Sequence, residues 1–157
     1  MSNNRYRRVK NSQGVWGWAK MVPFIYTVGI PAPALANGAS VSGDIRTDPG
    51  LPFILTEMGF EDSGDTSTIG TVRKWGINIV DGNSQQLFSS NEAPRERMFG
   101  TRDFPRQLPS EVELSPATVL TVTAVNRTGG ATGATDVIRP CFLGYKLVGW
   151  TQSQPAE

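Results

Sequence analysis

The sequence predicts an all-β protein: an antiparallel β-sandwich of about eight strands, jelly-roll-like, carrying an extended basic N-terminal arm. Three observations lead there. Apolar residues recur at every second position over several stretches, whereas segments free of Gly and Pro with apolar residues at i, i+3, i+4 and i+7 are hard to find. Gly and Pro number 17 and 11, nearly as many as the 15 basic and 14 acidic residues together, so the chain turns often. Its 157 residues suffice for one domain with one real core.

The elements follow in order. Phe24-Ile25-Tyr26 and Phe53-Ile54-Leu55 are short apolar runs preceded by proline, as in strands buried on both faces or starting at an edge. Ala39, Val41, Gly43 and Ile45 alternate with Ser40, Ser42, Asp44 and Arg46, a strand with one dry and one wet face. Trp75, Ile77 and Ile79 alternate with Lys74, Asn78 and Val80, and Leu120, Val122 and Ala124 with Thr121 and Thr123. Val137, Cys141, Leu143, Tyr145 and Leu147 share one parity near the C-terminus. Turn signals separate them: Asp48-Pro49-Gly50, Asp81-Gly82-Asn83, and the glycine-rich stretch 128–133. The expected strands lie near 20–30, 39–46, 52–60, 71–80, 86–89, 97–101, 117–125 and 136–148. Residues 91–116, with Pro94, Pro105, Pro109 and Pro116, read as a long irregular crossing. The organisation expected is an arm at 1–36, a sandwich at 37–150 and a tail at 151–157.

Composition excludes much chemistry. Histidine is absent and Cys141 is the single cysteine. Ser-His-Asp and Cys-His nucleophilic sites, zinc sites built on Cys or His, and an internal disulfide are therefore ruled out. No catalytic set, cofactor site or metal site is expected, and the chain is not read as an enzyme. Asp65-Thr66-Ser67 imitates the turn of aspartic proteases, which needs a second copy and apolar walls. Its neighbours Glu61, Asp62, Ser63 and Gly64 suggest a solvated hairpin tip instead. The same acids lack the spacing of an EF-hand calcium loop. Cys141, between Pro140 and Phe142, reads as a small core residue. Arg95, Arg97, Arg102 and Arg106 interleave with Glu92, Glu96 and Asp103, so that segment can form ion pairs.

Charge is unevenly distributed. Residues 1–43 hold Arg5, Arg7, Arg8, Lys10 and Lys20 and no acid, while residues 44–157 hold ten basic and fourteen acidic residues. A basic arm on a mildly acidic body suits docking onto an acidic surface. Trp16 and Trp18, with Phe24 and Tyr26, are the aromatics expected to fill apolar hollows on a partner. Stacking on bases is the weaker reading, because the chain is nearly neutral overall. The basic start, the apolar run Val22 to Ile30 and Ala34-Leu35-Ala36 imitate a secretory signal, but Pro23 and Pro31 bracket that run. No stretch approaches the roughly 20 apolar residues of a membrane helix, so a soluble protein with no membrane partner is expected.

Three stretches together resemble the small β-sandwich proteins that decorate, or cement, the heads of tailed bacteriophages. They are Pro52-Phe53-Ile54-Leu55-Thr56-Glu57-Met58, Trp75-Gly76-Ile77-Asn78-Ile79-Val80-Asp81 and Pro140-Cys141-Phe142-Leu143-Gly144-Tyr145-Lys146-Leu147. Phe99-Gly100 and Phe104-Pro105 fall between them in a similar order, and the likeness covers roughly residues 50–148. The resemblance implies a non-enzymatic virion protein that forms dimers or trimers, binds the major capsid protein across subunit junctions and sits on the capsid surface after assembly in the host cytoplasm. The arm lies outside the matched stretch; Arg5, Arg7, Arg8 and Lys10 are expected to meet acidic capsid surface and Trp16, Trp18, Phe24 and Tyr26 to fill its hollows, so that deletion of residues 1–19 leaves the sandwich folded yet abolishes stable attachment. A minor coat or head–tail connector protein and a carbohydrate-binding jelly roll are the alternatives.

Overall fold

The computed structural model describes residues 6–65, 73–82, 86–101 and 103–153. They form β1 (Tyr6–Lys10), β2 (Trp16–Thr27), β3 (Ile30–Pro31), β4 (Ser40–Arg46), β5 (Phe53–Asp62), β6 (Trp75–Asp81), β7 (Gln86–Leu87), β8 (Ala93–Pro94), α1 (Arg95–Met98), β9 (Gly100–Thr101), β10 (Arg106–Leu114), β11 (Val119–Asn126) and β12 (Val137–Thr151). One sheet runs β1-β2-β12-β5-β10, with β3 on β12 and β9 on β5. The other runs β4-β11-β6-β7, with β8 on β6. The strands β2, β4, β5, β6, β7, β10, β11 and β12, numbered first to eighth along the chain, give sheets ordered first-eighth-third-sixth and second-seventh-fourth-fifth. That is the eight-stranded jelly-roll arrangement, extended by β1 on the edge of β2.

Between the sheets the period-two residues meet as the sequence requires. Ile77 and Ile79 of β6 pair in register with Ala124 and Val122 of β11, and with Trp75 and Leu120 on the same inner face all six are buried. From the opposite sheet come Phe53, Leu55, Met58 and Phe60 of β5 with Ile138 and Phe142 of β12. One extra residue on β5, where Leu143 pairs Glu57 but Gly144 pairs Leu55, switches the inward parity so that both halves of β5 reach this core. Gly144 is obligatory there: a Cβ would lie 1.9 Å from the Ile54 carbonyl oxygen.

Several expectations need correction. Residues 6–31 are not an arm extending from the body. β2 is hydrogen-bonded along β12 from Thr27↔Cys141 to Trp18↔Thr151, and β1 pairs with β2 from Tyr6↔Lys20 to Lys10↔Trp16. The cause is β12, a central strand of 15 residues whose second edge would otherwise carry unpaired backbone groups. The strand expected at 97–101 is split between the end of α1 and the two-residue β9, and the principal strand is β10, inside the supposed irregular crossing. Pro109 is tolerated because β10 is an edge strand whose pairing with β5 is interrupted between Gln107 and Val112. Cys141 is half-buried on the outer face of the first sheet, with Leu143 and Tyr145, while Ile138 and Phe142 of opposite parity fill the core.

That outer face is not open either. Val9, Ala19, Ile54 and Leu147 are buried there in a second cluster with Met21, Leu51, Tyr145 and Trp150. A flat sheet would set β1 and β10 four spacings apart, roughly 19 Å. Yet Arg7 donates to Glu111, and its guanidinium lies 3.9 Å from Glu113. The sheet therefore curls enough for long side chains of its two edge strands to meet across the second cluster. Trp150 closes one end, donating to the Val9 carbonyl at 3.4 Å, and Gly17 leaves room for the indole, which a Cβ would approach within 2.5 Å.

At the far end of β5 the supposed solvated tip is a buried charge network. Asp62 accepts from Arg73 Nε (2.8 Å) and Nη2 (2.5 Å), Trp75 Nε1 (2.7 Å) and the Gly64 N–H (2.9 Å). Arg73 also donates to Asp136 at 2.5 Å, and the buried Arg95 donates to Asp65 at 2.8 Å with its guanidinium over the Phe60 ring. Two members of the 92–106 segment pair outside it: Arg95 turns to Asp65, and Glu92 turns to Arg127.

Burial pushes the Asp62 carboxyl up. The Arg73, Trp75 and Gly64 hydrogen bonds and the Arg73 charge outweigh that and hold it below the ordinary aspartate value. A depressed folded-state pKa stabilises the fold above the unfolded pKa and is lost as pH falls through the folded one. Stability in urea should accordingly fall as pH drops below about 4. Asp62→Asn should cost about 3–5 kcal/mol at neutral pH, because it breaks one member of a buried ion-pair network and leaves Arg73 with Asp136 as its one remaining carboxylate among the described residues, and it should flatten that acid dependence. Deletion of residues 1–19 should lower the urea midpoint strongly, because it strips Val9 and Ala19 from the second cluster and unpairs part of β12.

Candidate docking face

The β1–β2 hairpin follows from its sequence. Asn11 closes it, its Oδ1 accepting the Gln13 and Val15 N–H groups at 2.9 and 3.0 Å, with Gly14 at φ +77°. The alternation then sorts side chains strictly. Arg7, Val9, Gly17 and Ala19 face the second cluster. Tyr6, Arg8, Lys10, Trp16, Trp18 and Lys20 share the other face, which continues along β2 through Val22, Phe24 and Tyr26 and onto β12 through Lys146 and Val148. This is the face turned toward the second sheet, but at the hairpin no described residue buries it: Arg8, Lys10, Trp16, Lys20 and Phe24 are exposed, Trp16 by 52%.

Cations and rings interleave on this surface. The Arg8 guanidinium and the Lys10 ammonium lie 5.2 and 5.1 Å from the Trp16 ring centroid, and Lys146 lies 5.1 Å from that of Phe24. Phe24 packs edge-on to Tyr26 at 4.8 Å, and Tyr26 in turn to the buried Phe53 at 4.9 Å. The exposed end of the row is thereby anchored in the core. Tyr26 also accepts the Asp48 N–H at 3.0 Å, and burial raises its phenol pKa. Among the described residues Asp48, paired with Lys146, is the carboxylate that an ion pair ties to this face. The surface can therefore bind anions and planar or apolar groups together.

Of the residues expected to bind a partner, Arg8, Lys10, Trp16, Trp18 and Phe24 come together here, with Tyr26 at the inner end. Arg7 does not, since it points to the opposite face and clasps β10; Arg5 lies outside the described residues. Lys20 and Lys146 were not singled out for this face. Their parity with Trp18 and Phe24 is a signal for Lys20, whereas Lys146 joins only through the pairing of β12 with β2.

Two adjoining grooves of about 440 and 290 Å³ lie on the outer face and share Thr56, Glu57 and Tyr145. Ile25 and Leu143 line the larger, Gln107 and Glu111 the smaller. Asp62 and Asp65 spend their oxygens on arginine, and Thr66 and Ser67 lie outside the described residues. Among the described residues no three acidic or cysteine side chains gather as a metal-ligand set. Comparison with family models, curated proteins and solved structures finds no match to the chain.

The two kinds of tryptophan should separate experimentally. Trp16→Ala should leave the free energy of unfolding in urea within about 0.5 kcal/mol of the parent, whereas Trp150→Ala, which unseals the second cluster, should cost about 2–4 kcal/mol.

Proposed function

We propose that the chain is a structural virion protein, a capsid decoration or cement protein that binds the major capsid protein across subunit junctions and stabilises the head. The single observation that carries this is the gathering of Arg8, Lys10, Lys20, Trp16, Trp18 and Phe24 on one rigid exposed face, suited to an acidic protein surface with apolar hollows. The jelly roll is a fold of viral capsid and lectin domains, which supports the reading by analogy only. Docking works through a preformed hairpin rather than an ordering arm, and a dimer or trimer multiplies weak contacts into avidity. The protein acts as a brace, without turnover.

Charge reversal tests it. Arg8→Glu with Lys10→Glu and Lys20→Glu, all exposed, should keep the unfolding midpoint and lose co-sedimentation with capsids. Binding of the parent protein should weaken as salt rises from 50 to 500 mM. Capsid binding undiminished in the triple variant refutes the docking face.

A second reading rests on the outer grooves, where Tyr145, Thr56 and Glu57 offer a ring and polar groups on one curved face, as in carbohydrate-binding jelly rolls. Binding on a glycan array that is lost in Tyr145→Ala and kept in the triple variant favours it.

A further inference from the structure

The docking face ends at a sheet edge, and the chemistry of that edge selects what can be added to it. Among the described residues β1 pairs with β2 alone. No described strand pairs with its other side, where a row of backbone donors and acceptors can take an incoming strand. Resting on the docking reading above, we propose that β1 takes an added strand from the partner: an extended acidic segment with Asp or Glu at every second position.

Side-chain sorting gives the spacing. Tyr6, Arg8 and Lys10 point to the docking face, and Arg8 and Lys10 stand two residues apart, about 6.8 Å. In an added strand the side chains opposite them recur at the same interval, so alternate carboxylates fall beside Arg8 and Lys10, with Trp16 directly across from Lys10. The other parity lies opposite Arg7 and Val9. Arg7 is already engaged by Glu111, and Val9 is buried, so small or apolar residues fit there.

Charge also decides against a second copy as occupant. Two β1 strands side by side bring Arg7, Arg8 and Lys10 against one another, and like charges in facing positions are destabilising. Cations on an edge strand are a common guard against self-pairing. The same guard admits an acidic strand. The other long edges lack this selectivity: β10 is broken by Pro109 and its bulge, and the exposed side chains of β4 include Asp44 and Arg46, of opposite sign.

The test uses the full-length protein and two synthetic seven-residue peptides of identical composition, one with Glu alternating with Val and one with its Glu residues contiguous. The alternating peptide should bind at least tenfold more tightly by tryptophan fluorescence and should slow amide exchange in residues 6–10. Arg8→Glu with Lys10→Glu should reverse the preference toward an alternating Lys–Val peptide. Equal affinity for the two Glu peptides, or binding without protection of β1 amides, overturns strand addition. So does failure of both to bind while capsid attachment still requires Arg8 and Lys10; in that case the docking face stands and only the inference falls. Capsid attachment indifferent to Arg8 and Lys10 overturns the docking reading and the inference with it.

Discussion

The fold depends on one constraint, the need of β12 for partners on both edges. At 15 residues it is the longest strand, and it runs through the middle of the first sheet between β2 and β5. Unpaired backbone along either edge would be costly, and Gly144 lets the β5 backbone approach closely enough to pair. β2 satisfies the other edge. Once β2 is drawn in, β1 follows by a closed turn, and the curl that brings Arg7 to Glu111 encloses Ile54 and Leu147. The basic, aromatic N-terminal segment is therefore structural first. Its display of charge is a by-product of the face that the second cluster leaves outside.

A second constraint acts at the opposite end of β5. Asp62, with 5% of its surface exposed, sits where the two sheets join, and its partners come from Arg73, just before β6, and from Trp75 on β6 itself. Arg73 reaches on to Asp136, just before β12. Three strand ends are thus tied at one carboxylate. A buried pair of this kind adds little net stability over an apolar substitute but is expensive to break. What it supplies is register: a slip of β6 by one residue would turn Trp75 away from Asp62 and leave charge buried without a partner.

Much of this was legible in the sequence. Alternation in 75–80 and 120–124 located β6 and β11 and their inward faces, because one side of each is simply dry. β10 was not legible: Pro105, Pro109 and Pro116 argue against a strand, and only its position at an edge with a bulge makes them harmless. Val137 to Leu147 misled in the opposite way. With both faces covered, Leu143 and Tyr145 are as apolar as Ile138 and Phe142, so parity does not say which side is the main core. Asp62 to Asp65 read as wet because its arginines lie 11 and 30 residues away in sequence from the carboxylates they meet. The cations and aromatics of the N-terminal segment suggest a free arm, whereas the structure sets Arg8, Lys10, Trp16 and Trp18 on one face of a hairpin. The turn at Asn11 to Gly14, between two alternating segments, was the overlooked sign of a hairpin.

That difference in geometry changes the energetics of any docking. A disordered arm loses conformational freedom when it binds, on the order of 1–2 kcal/mol for each residue fixed, and much of its contact energy is spent on ordering. In the hairpin that cost has been met during folding, by Val9 and Ala19 on one face. The residues of opposite parity are consequently presented at fixed spacing, with Trp16 held among Arg8 and Lys10 before any partner arrives. Strict period two is what makes this possible: the same five residues of β1 supply both the anchor and the contact, and no residue does both. A substitution that shifted β1 by a single position would exchange Val9 for Arg8 on the inner side. Stability and the exposed row of cations and rings would then be lost together, since neither face could be exchanged without the other.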